Sequence, residues 1–295
     1  MGKVERIVRE IKCIANANSI ILNYPEHRAQ ENRVNLHYYH ADWQPNGKMT
    51  DCILGDYLSE VIVKSLCLNR GIDFRKELPV SKHLYAIGSI IQMGYQNATL
   101  WGTGFAFEVN KIRALPHRSR KLDIRCVRGP KTRKILLEMG FECPESYGDP
   151  GVVMPLLYKP NVREALDYLI IPHFQAEAET RKQYGDLNML SMNTNNYQGV
   201  IDRICSAKKV VSSSLHGIIL AEAYGIPAVF YQDRPEKFNF KYQDWYESTG
   251  RKYDAVPHSI EEGLNVAVKP VDQERIKVLQ ETLIRSFPSD LWGGV

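Results

Sequence analysis

Short apolar runs alternate with segments of helical periodicity through most of this 295-residue chain. The clearest case is the stretch 208–231, in which apolar runs at Val210–Val211 and Ala228–Tyr231 flank a segment with apolar residues every three or four positions. This pattern predicts a strand, a helix and a second strand. Gly225 and Pro227 follow the periodic segment, and both residue types end helices.

The same alternation extends along the rest of the chain. Apolar runs predict or allow strands at Ile20–Leu22, Leu36–Tyr39, Leu84–Gly88, Thr99–Trp101, Leu122–Val127, Tyr168–Ile171 and Leu187–Leu190. Periodic segments predict helices at Val4–Ile14, 56–68, 130–139, from about Ala176, at Tyr197–Cys205, before Gly250 and at about Asp272–Phe287. Asp56 is the expected N-cap of the second of these helices, and His40–Thr50 is a predicted loop.

A dense turn at Tyr147–Gly151 and the polar segment Lys159–Asn161 predict a domain boundary. Strands alternate with helices on both sides of it, which favours two open parallel sheets. We therefore expect an α/β fold with two Rossmann-like domains, residues 1–158 and 159–295, whose sheets face a cleft that holds the functional site. In this arrangement the terminal helix is free to pack back on the N-terminal domain.

Composition narrows the class of protein. No run approaches the roughly 18 apolar residues of a membrane helix, and the first residues form a charged amphipathic pattern rather than an apolar signal core. Six cysteines without paired spacing argue against a zinc site or a disulfide framework, and they are typical of a reducing cytoplasm. A net charge of +4 suits anionic small ligands or a lipid surface better than nucleic acid. We expect a cytoplasmic protein with no nucleic-acid partner.

Candidate chemistry lies at the start of the helix in the stretch 208–231. Ser213 and Ser214 stand where they can cap the helix or leave its N–H groups free for an anion, and His216 falls in the first turn. An imidazole at this position can bind an anionic ligand or exchange a proton. From position alone, a well-capped helix with a solvated histidine is an equally good interpretation.

A second candidate anion site follows the run Leu122–Val127. Arg128 comes directly after this predicted strand, and Gly129-Pro130 begin a helix, since proline is favoured at the first helical position. The guanidinium group can bind carboxylate or phosphate in a bidentate manner. A surface ion pair is the alternative interpretation of Arg128, as simple turn formation is for the glycines at 102 and 104 that follow another predicted strand.

Several of these segments together resemble a known family, the polysaccharide pyruvyl transferases. The matching motifs are Gly55–Ser59, Trp101–Gly104, Val127–Arg133, Tyr147–Pro150, Ser213–Gly217 and Gly225–Pro227. The resemblance implies a fold similar to the two-domain GT-B glycosyltransferases. It also implies transfer of the enolpyruvyl group of phosphoenolpyruvate to a sugar, usually as a cyclic ketal in a capsular or exopolysaccharide repeat unit. Acceptors in the family are commonly linked to polyprenyl diphosphate at the inner membrane face, so peripheral membrane association stays open.

The resemblance assigns roles to individual residues. Arg128 and His216 fall on positions implicated in binding or converting phosphoenolpyruvate, which acts as a co-substrate; no other cofactor and no metal is expected. Many members carry arginine where this chain has Ser214, and Lys131, Arg133 or Lys208 could supply the missing charge only if the fold brings one of them close. The substrate-binding candidates are Gly55, Asp56, Gly102, Thr103, Gly104, Gly129, His173, Ser213, Ser214, Leu215, Gly217 and Glu222.

Ketal formation needs an acid that protonates the methylene carbon of the donor, and His216 is the candidate with a suitable ordinary pKa. The candidate bases for the acceptor hydroxyl are Asp56, Asp149 and Glu222. Each also has a structural interpretation, as a helix cap, a turn residue and a residue on a solvated helix face, respectively. Two other functions are compatible with the sequence. One is a GT-B glycosyltransferase that uses a nucleotide sugar, and the other is a non-catalytic protein that binds glycans or anions.

Overall fold

Two parallel sheets organise the computed structural model, which describes residues 31–38, 53–94, 96–109, 115–185, 188–254 and 256–293. The first sheet contains β1 (Val34–His37), β2 (Lys82–Tyr85), β3 (Ala98–Trp101) and β4 (Leu122–Cys126) in that spatial order. The second contains β5 (Leu169–Ile171), β6 (Val210–Ser212) and β7 (Ala228–Phe230), also in chain order. All pairings between these strands are parallel. The predicted α/β class with parallel sheets is thereby confirmed.

Helices connect and cover the strands. They are α1 (Leu54–Leu68), α2 (Pro130–Glu138), α3 (Met154–Leu157), α4 (Glu177–Tyr184), α5 (Tyr197–Cys205), α6 (Leu215–Ala223), α7 (Phe240–Ser248), α8 (Ile260–Asn265) and α9 (Gln273–Ser286). None of these described helices is long and apolar enough to cross a membrane. The predicted helix Val4–Ile14, strand Ile20–Leu22 and loop His40–Thr50 lie outside the described residues.

Burial explains why the strands read as continuous apolar runs. Every residue of β3, β5, β6 and β7 is buried, as in parallel sheets that are covered on both faces. Helix α6 is buried almost all round, and His216 is the one residue of this helix outside the buried set. A helix with this environment packs inside the molecule, so only His216 is left to reach an open space.

The two halves of the chain share one hydrophobic cluster. It includes Leu58 and Trp101 from the first half and Ile218 and Phe230 from the second. Helix α9 also joins the halves, because the Trp101 indole donates a hydrogen bond to the carbonyl of Leu283 at 3.0 Å. Contacts of this kind bring the carboxyl ends of both sheets near each other.

Two sequence-based predictions about elements are wrong. Helix α1 begins two residues before Asp56, with Ile53 as its N-cap, because a bridge to Asn193 and a hydrogen bond from the Leu54 amide to Met192 fix the chain there. Asp56 therefore lies inside the first turn instead of capping it. The predicted strand at Leu187–Leu190 is only a single parallel bridge between Met189 and Ile170, with residue 187 outside the described ranges.

Candidate functional site

A cavity of about 450 Å³ lies where strands of both sheets end. Its wall includes Ser89 after β2, His173 after β5, Ser214 after β6 and Asp233 after β7. Open parallel sheets bind ligands at the carboxyl ends of their strands, where loops converge and helices begin. The cavity is thus at the position expected for a functional site, with walls from both halves of the chain.

His216 enters this cavity from the first turn of α6. Ser214 caps the helix, since its hydroxyl accepts a hydrogen bond from the amide of Gly217. The imidazole side chain is 14% exposed, and its Nε2 lies 3.8 Å from Oδ2 of Asp149. Both atoms are buried and neither has a hydrogen-bond partner in the described part of the chain. His216 is therefore an enclosed imidazole beside a carboxylate, not a solvated surface histidine.

Gly55 provides the space for this imidazole. A Cβ atom added at position 55 would lie 1.8 Å from Nδ1 of His216, far inside van der Waals contact. Any side chain there would displace the ring. The glycine that precedes Asp56 in the motif therefore positions His216 by leaving room for it, instead of touching a ligand itself.

The titration behaviour of the cavity differs from that of free side chains. Burial, together with the cations of Lys241 and Arg128, lowers the pKa of His216 to about 3. Burial raises the pKa of Asp56 to about 7 and that of Asp149 to about 6. In the free protein the imidazole is neutral at pH 7, and the carboxyls are the groups that titrate near neutrality. An anion bound beside Lys241 would offset the cations and raise the pKa of His216.

Arg128 lies behind the cavity wall and has no exposed surface. Its guanidinium donates hydrogen bonds to Asp244 at 3.1 Å, to the Ser89 hydroxyl at 2.7 Å and to the Phe105 carbonyl at 2.6 Å. Of these partners, Ser89 lines the cavity. Arg128 thus forms a buried ion pair, not a surface one, and in this state it reaches the cavity through the Ser89 hydroxyl and its electric field.

The segment that carries Arg128, Asp149 and His216 is similar to a known protein family. Residues 96–232 match the family model of polysaccharide pyruvyl transferase. The resemblance read from the motifs is confirmed over this segment. An uncharacterised protein of Acanthamoeba polyphaga mimivirus is 29% identical over 183 residues, which cover 58% of this chain and 62% of that protein. The chain thus spans about three fifths of the length of that curated relative.

Apart from Glu222, the predicted substrate-binding residues divide into those that line the cavity and those that support its wall. Asp56, His173, Ser214 and Leu215 line it with His216. The supporting residues, which are absent from the lining, are Gly55, Gly102, Thr103, Gly104, Gly129, Ser213 and Gly217.

The supporting residues act through close packing and hydrogen bonds. The Ser213 hydroxyl donates to Asp233 and accepts from the His173 amide, which fixes the loop after β5. The Thr103 hydroxyl donates to the carbonyl of Gly88 at 2.8 Å. A Cβ at Gly104 would lie 2.6 Å from Cζ of Arg128, so this glycine makes room for the guanidinium.

Other glycines of the motifs have the same steric origin. A Cβ at Gly129 would lie 2.0 Å from the backbone oxygen of Asp244, and one at Gly102 would lie 2.3 Å from Cδ of Pro150. At Gly217 an added Cβ would meet the Ser212 hydroxyl at 2.8 Å. These positions therefore favour glycine because neighbouring chain segments approach closely.

Glu222 is a correction to the predicted substrate-binding set. Its carboxylate is fully buried and accepts hydrogen bonds from both terminal nitrogens of Arg251 and from the Trp245 indole. It does not line the cavity. The sequence made it a candidate base and substrate-binding residue, but the buried environment of α6 places its carboxylate against Trp245 of α7 and Arg251 after that helix.

Sequence reasoning missed two cations of the cavity, Lys241 and Arg234. Lys241 lies in the first turn of α7, and burial, with Arg128 and Arg234 nearby, lowers its pKa to about 8. Arg234 follows β7 and donates to Nε2 of His173 at 3.2 Å. For Arg234 the available signal was position, since a charged residue just after a predicted strand belongs at the ligand-binding edge of a parallel sheet. Lys241 lies further along the chain, in α7, and had no such signal.

The three cations considered in place of the family's arginine all bind elsewhere. Lys131 donates to Gln243, Arg133 to the Cys143 carbonyl and Lys208 to Asp167. None of them lines the cavity. Among the described residues there is also no group of three or more His, Cys, Asp or Glu side chains that could hold a metal ion.

Proposed function

We propose that the protein transfers the enolpyruvyl group of phosphoenolpyruvate to a sugar and forms a pyruvate ketal. The observation that carries the proposal is the meeting of His216, Asp56 and Lys241 at one cavity, in a chain whose residues 96–232 match the pyruvyl transferase family. The cavity volume of about 450 Å³ accommodates a donor of this size together with the reacting end of an acceptor.

The proposed reaction has a simple balance of atoms. The methylene carbon of the donor accepts a proton and becomes a methyl group, while two sugar hydroxyls bond to the neighbouring carbon. The bond between that carbon and the phosphate oxygen breaks, and inorganic phosphate leaves. The two hydroxyls release two protons, of which one replaces the proton delivered to the methyl carbon and the other stays on phosphate.

His216 and the two carboxyls suit the proton transfers. Once the donor's negative charge offsets Lys241, the pKa of His216 rises and the imidazolium can protonate the methylene carbon. Asp149, 3.8 Å from Nε2, stabilises that imidazolium. Asp56 lines the cavity with a pKa raised by burial to about 7, so near neutral pH it can accept a proton from an acceptor hydroxyl.

An adjoining cavity supports a sugar as the acceptor. It has a volume of about 800 Å³ and shares Phe107, Phe238 and Asn239 with the smaller cavity. Its wall combines aromatic rings such as Tyr253 with amide groups such as Gln243, and a sugar presents both apolar C–H faces and hydroxyl groups to such a wall. Following the family, we propose a lipid-linked oligosaccharide of a capsular or exopolysaccharide repeat unit, met by a cytoplasmic enzyme at the inner membrane face.

The same proposal includes the domain organisation. We propose that the two parallel sheets belong to two Rossmann-like domains, residues 1–158 and 159–295, in a GT-B-like arrangement. The cavity walls from both halves of the chain support this division, since GT-B-like enzymes act in the cleft between their domains.

The test is incubation of the purified protein with phosphoenolpyruvate and lipid-linked oligosaccharide. We expect phosphate release that depends on the acceptor, together with a pyruvyl mass gain on the oligosaccharide. Transfer from a nucleotide sugar without use of phosphoenolpyruvate would instead identify a glycosyltransferase. Binding of phosphoenolpyruvate without any phosphate release would identify a binding protein, and either result would reject the proposal.

A further inference from the structure

Ser214 leaves the donor site without the arginine that many family members carry beside the Leu-His pair. Its side chain is a short hydroxyl that caps α6. Arg128, the other predicted donor ligand, is fully buried and bonded to Asp244, Ser89 and Phe105. A donor with a carboxylate and a phosphate therefore needs cations from another part of this chain.

Lys241 meets the requirement from the first turn of α7. Its side chain lines the cavity, and its Nζ makes no hydrogen bond or ion pair with any residue in the described part of the chain. Lys241 is half-buried. An ammonium that loses part of its water without gaining a protein partner is unfavourable, and an anion that enters the cavity relieves this cost. Charges of both signs surround the Lys241 ammonium. Asp56 and Asp233 attract it, whereas Arg128 and Arg234 repel it.

Arg234 provides a second cation whose direction is fixed. Its guanidinium donates to Nε2 of His173 at 3.2 Å and to the side-chain oxygen of Gln175. The same group lies 4.5 Å from the centre of the Phe238 ring. No carboxylate of the described residues forms an ion pair with it. These contacts orient the guanidinium at the cavity wall and leave its charge available for a ligand.

We propose that Lys241 and Arg234 bind the carboxylate and the phosphate of the donor, and that they replace the arginine absent at position 214. This assignment rests on the proposed function for the identity of the donor, but it predicts binding of a dianion whether or not turnover occurs. Both residues come from the segment after β7, whereas the arginine of other members would enter from the start of α6. The charge is thus supplied from a different strand end of the same sheet.

Calorimetry with sulfate and with phosphoenolpyruvate tests this assignment. We expect Lys241→Met and Arg234→Gln each to weaken both affinities at least about tenfold, which corresponds to about 1.4 kcal/mol. Lys241→Arg keeps the charge and should retain more affinity than Lys241→Met. The matched control is Lys131→Met, which removes a lysine that bonds to Gln243 outside the smaller cavity and should leave binding unchanged.

A thermal melt keeps the test independent of folding. Lys241→Met removes a half-buried charge that has no protein partner among the described residues, so its melting temperature should equal or exceed that of the wild type. If both variants bind sulfate and phosphoenolpyruvate as tightly as the wild type does, the assignment is wrong, even if phosphate release is normal. It is also wrong if the wild type binds neither anion. Affinity lost in the variants, with no phosphate release by the wild type, would support the anion site and reject the proposed function.

Discussion

The imidazole of His216 depends on a neighbour that has no side chain. Gly55 belongs to α1 in the first half of the chain, and His216 belongs to α6 in the second. The ring occupies the space of a Cβ at position 55, and its other edge faces Asp149. A change at Gly55 should therefore alter the catalytic group without removing it.

Gly55→Ala should lower phosphate release by about 10²-fold or more, because the added methyl forces the imidazole out of its position and a displacement near 1 Å is enough for such a loss. Measured turnover and a thermal melt check this together. The control is Gly71→Ala, where an added Cβ meets no atom within 4 Å and the positive φ of 67° adds only local backbone strain. Full turnover in Gly55→Ala would mean that the position of His216 does not matter.

His216→Gln separates chemistry from binding. Glutamine keeps hydrogen-bonding capacity but cannot deliver a proton, so turnover should fall by about 10²–10⁴ while phosphoenolpyruvate affinity stays near that of the wild type. Calorimetry must measure the affinity directly. If donor binding is lost instead, His216 is a phosphate ligand, and the acid has to be another group, of which Asp56 is the cavity carboxyl closest to neutral pKa.

At the residue scale, sequence identified His216, Asp56 and the glycines but not Lys241 or Arg234. The motifs around His216 and Gly55 are short local stretches, so the resemblance to the family reveals them, whereas the position of His216 alone fitted a solvated histidine equally well. Lys241 lies in an aromatic-rich segment with no motif, and its significance arises only when α7 packs against the strand ends of both sheets. The prediction for Glu222 as a substrate-binding residue is wrong, because position on a helix does not tell which partner a buried carboxylate contacts.

At the scale of elements, Asp244 of α7 joins the helix start after β4 to the second half of the chain. Its carboxylate accepts from the amide and the hydroxyl of Thr132 at 2.9 and 2.6 Å, and from Nε of Arg128 at 3.1 Å. It thus caps α2 from another helix, a role that Gly129, the N-cap residue, cannot fill.

Asp244→Ala should lower the free energy of unfolding by about 3–5 kcal/mol, since it leaves the buried guanidinium of Arg128 without its partner. Chemical denaturation measures the loss. The matched control is Asp167→Ala, which removes the same side chain from an exposed pair with Lys208 and should leave the unfolding midpoint unchanged. Equal effects of both variants would show that the buried pair contributes no more to stability than the exposed pair does.

Most elements follow from the apolar pattern, and the exceptions have tertiary causes. The runs that became β3, β5, β6 and β7 are mostly apolar because both faces of each strand are covered, and Pro130 and Gly140 bound α2 as expected. The start of α1 was misplaced because Leu54 bonds to Met192, a contact that no local pattern reveals. The segment near Met189 has strand-like residues but makes only one bridge.

At the scale of the whole molecule, both halves of the chain set the charge of the cavity. Asp56 comes from the first half and carries a pKa raised to about 7, whereas Lys241 comes from the second and carries a pKa lowered to about 8. As pH rises from 6 to 9, Asp56 gains negative charge and Lys241 loses positive charge. His216 and His173 stay neutral in this window, because burial lowers their pKa values to about 3 and about 2.

Sulfate affinity should therefore fall steadily from pH 6 to pH 9, since sulfate keeps its charge over this range while the cavity becomes less positive. Calorimetry at several pH values measures the profile. Asp56→Asn should remove the part of the fall near pH 7, and Lys241→Met the part near pH 8. Asp233→Asn is the control for the second carboxyl near Lys241, whose pKa burial also raises. A flat profile would contradict the assigned charges.

The most direct test of pyruvyl transfer is mass spectrometry of the acceptor after reaction with phosphoenolpyruvate in deuterated water. We predict a pyruvate ketal whose methyl group carries one deuterium, because one solvent-derived proton is delivered to the methylene carbon, and one phosphate released for each ketal formed. His216→Gln should give this product far more slowly. An acceptor whose mass does not change, while phosphoenolpyruvate is bound or hydrolysed, would contradict the proposed function.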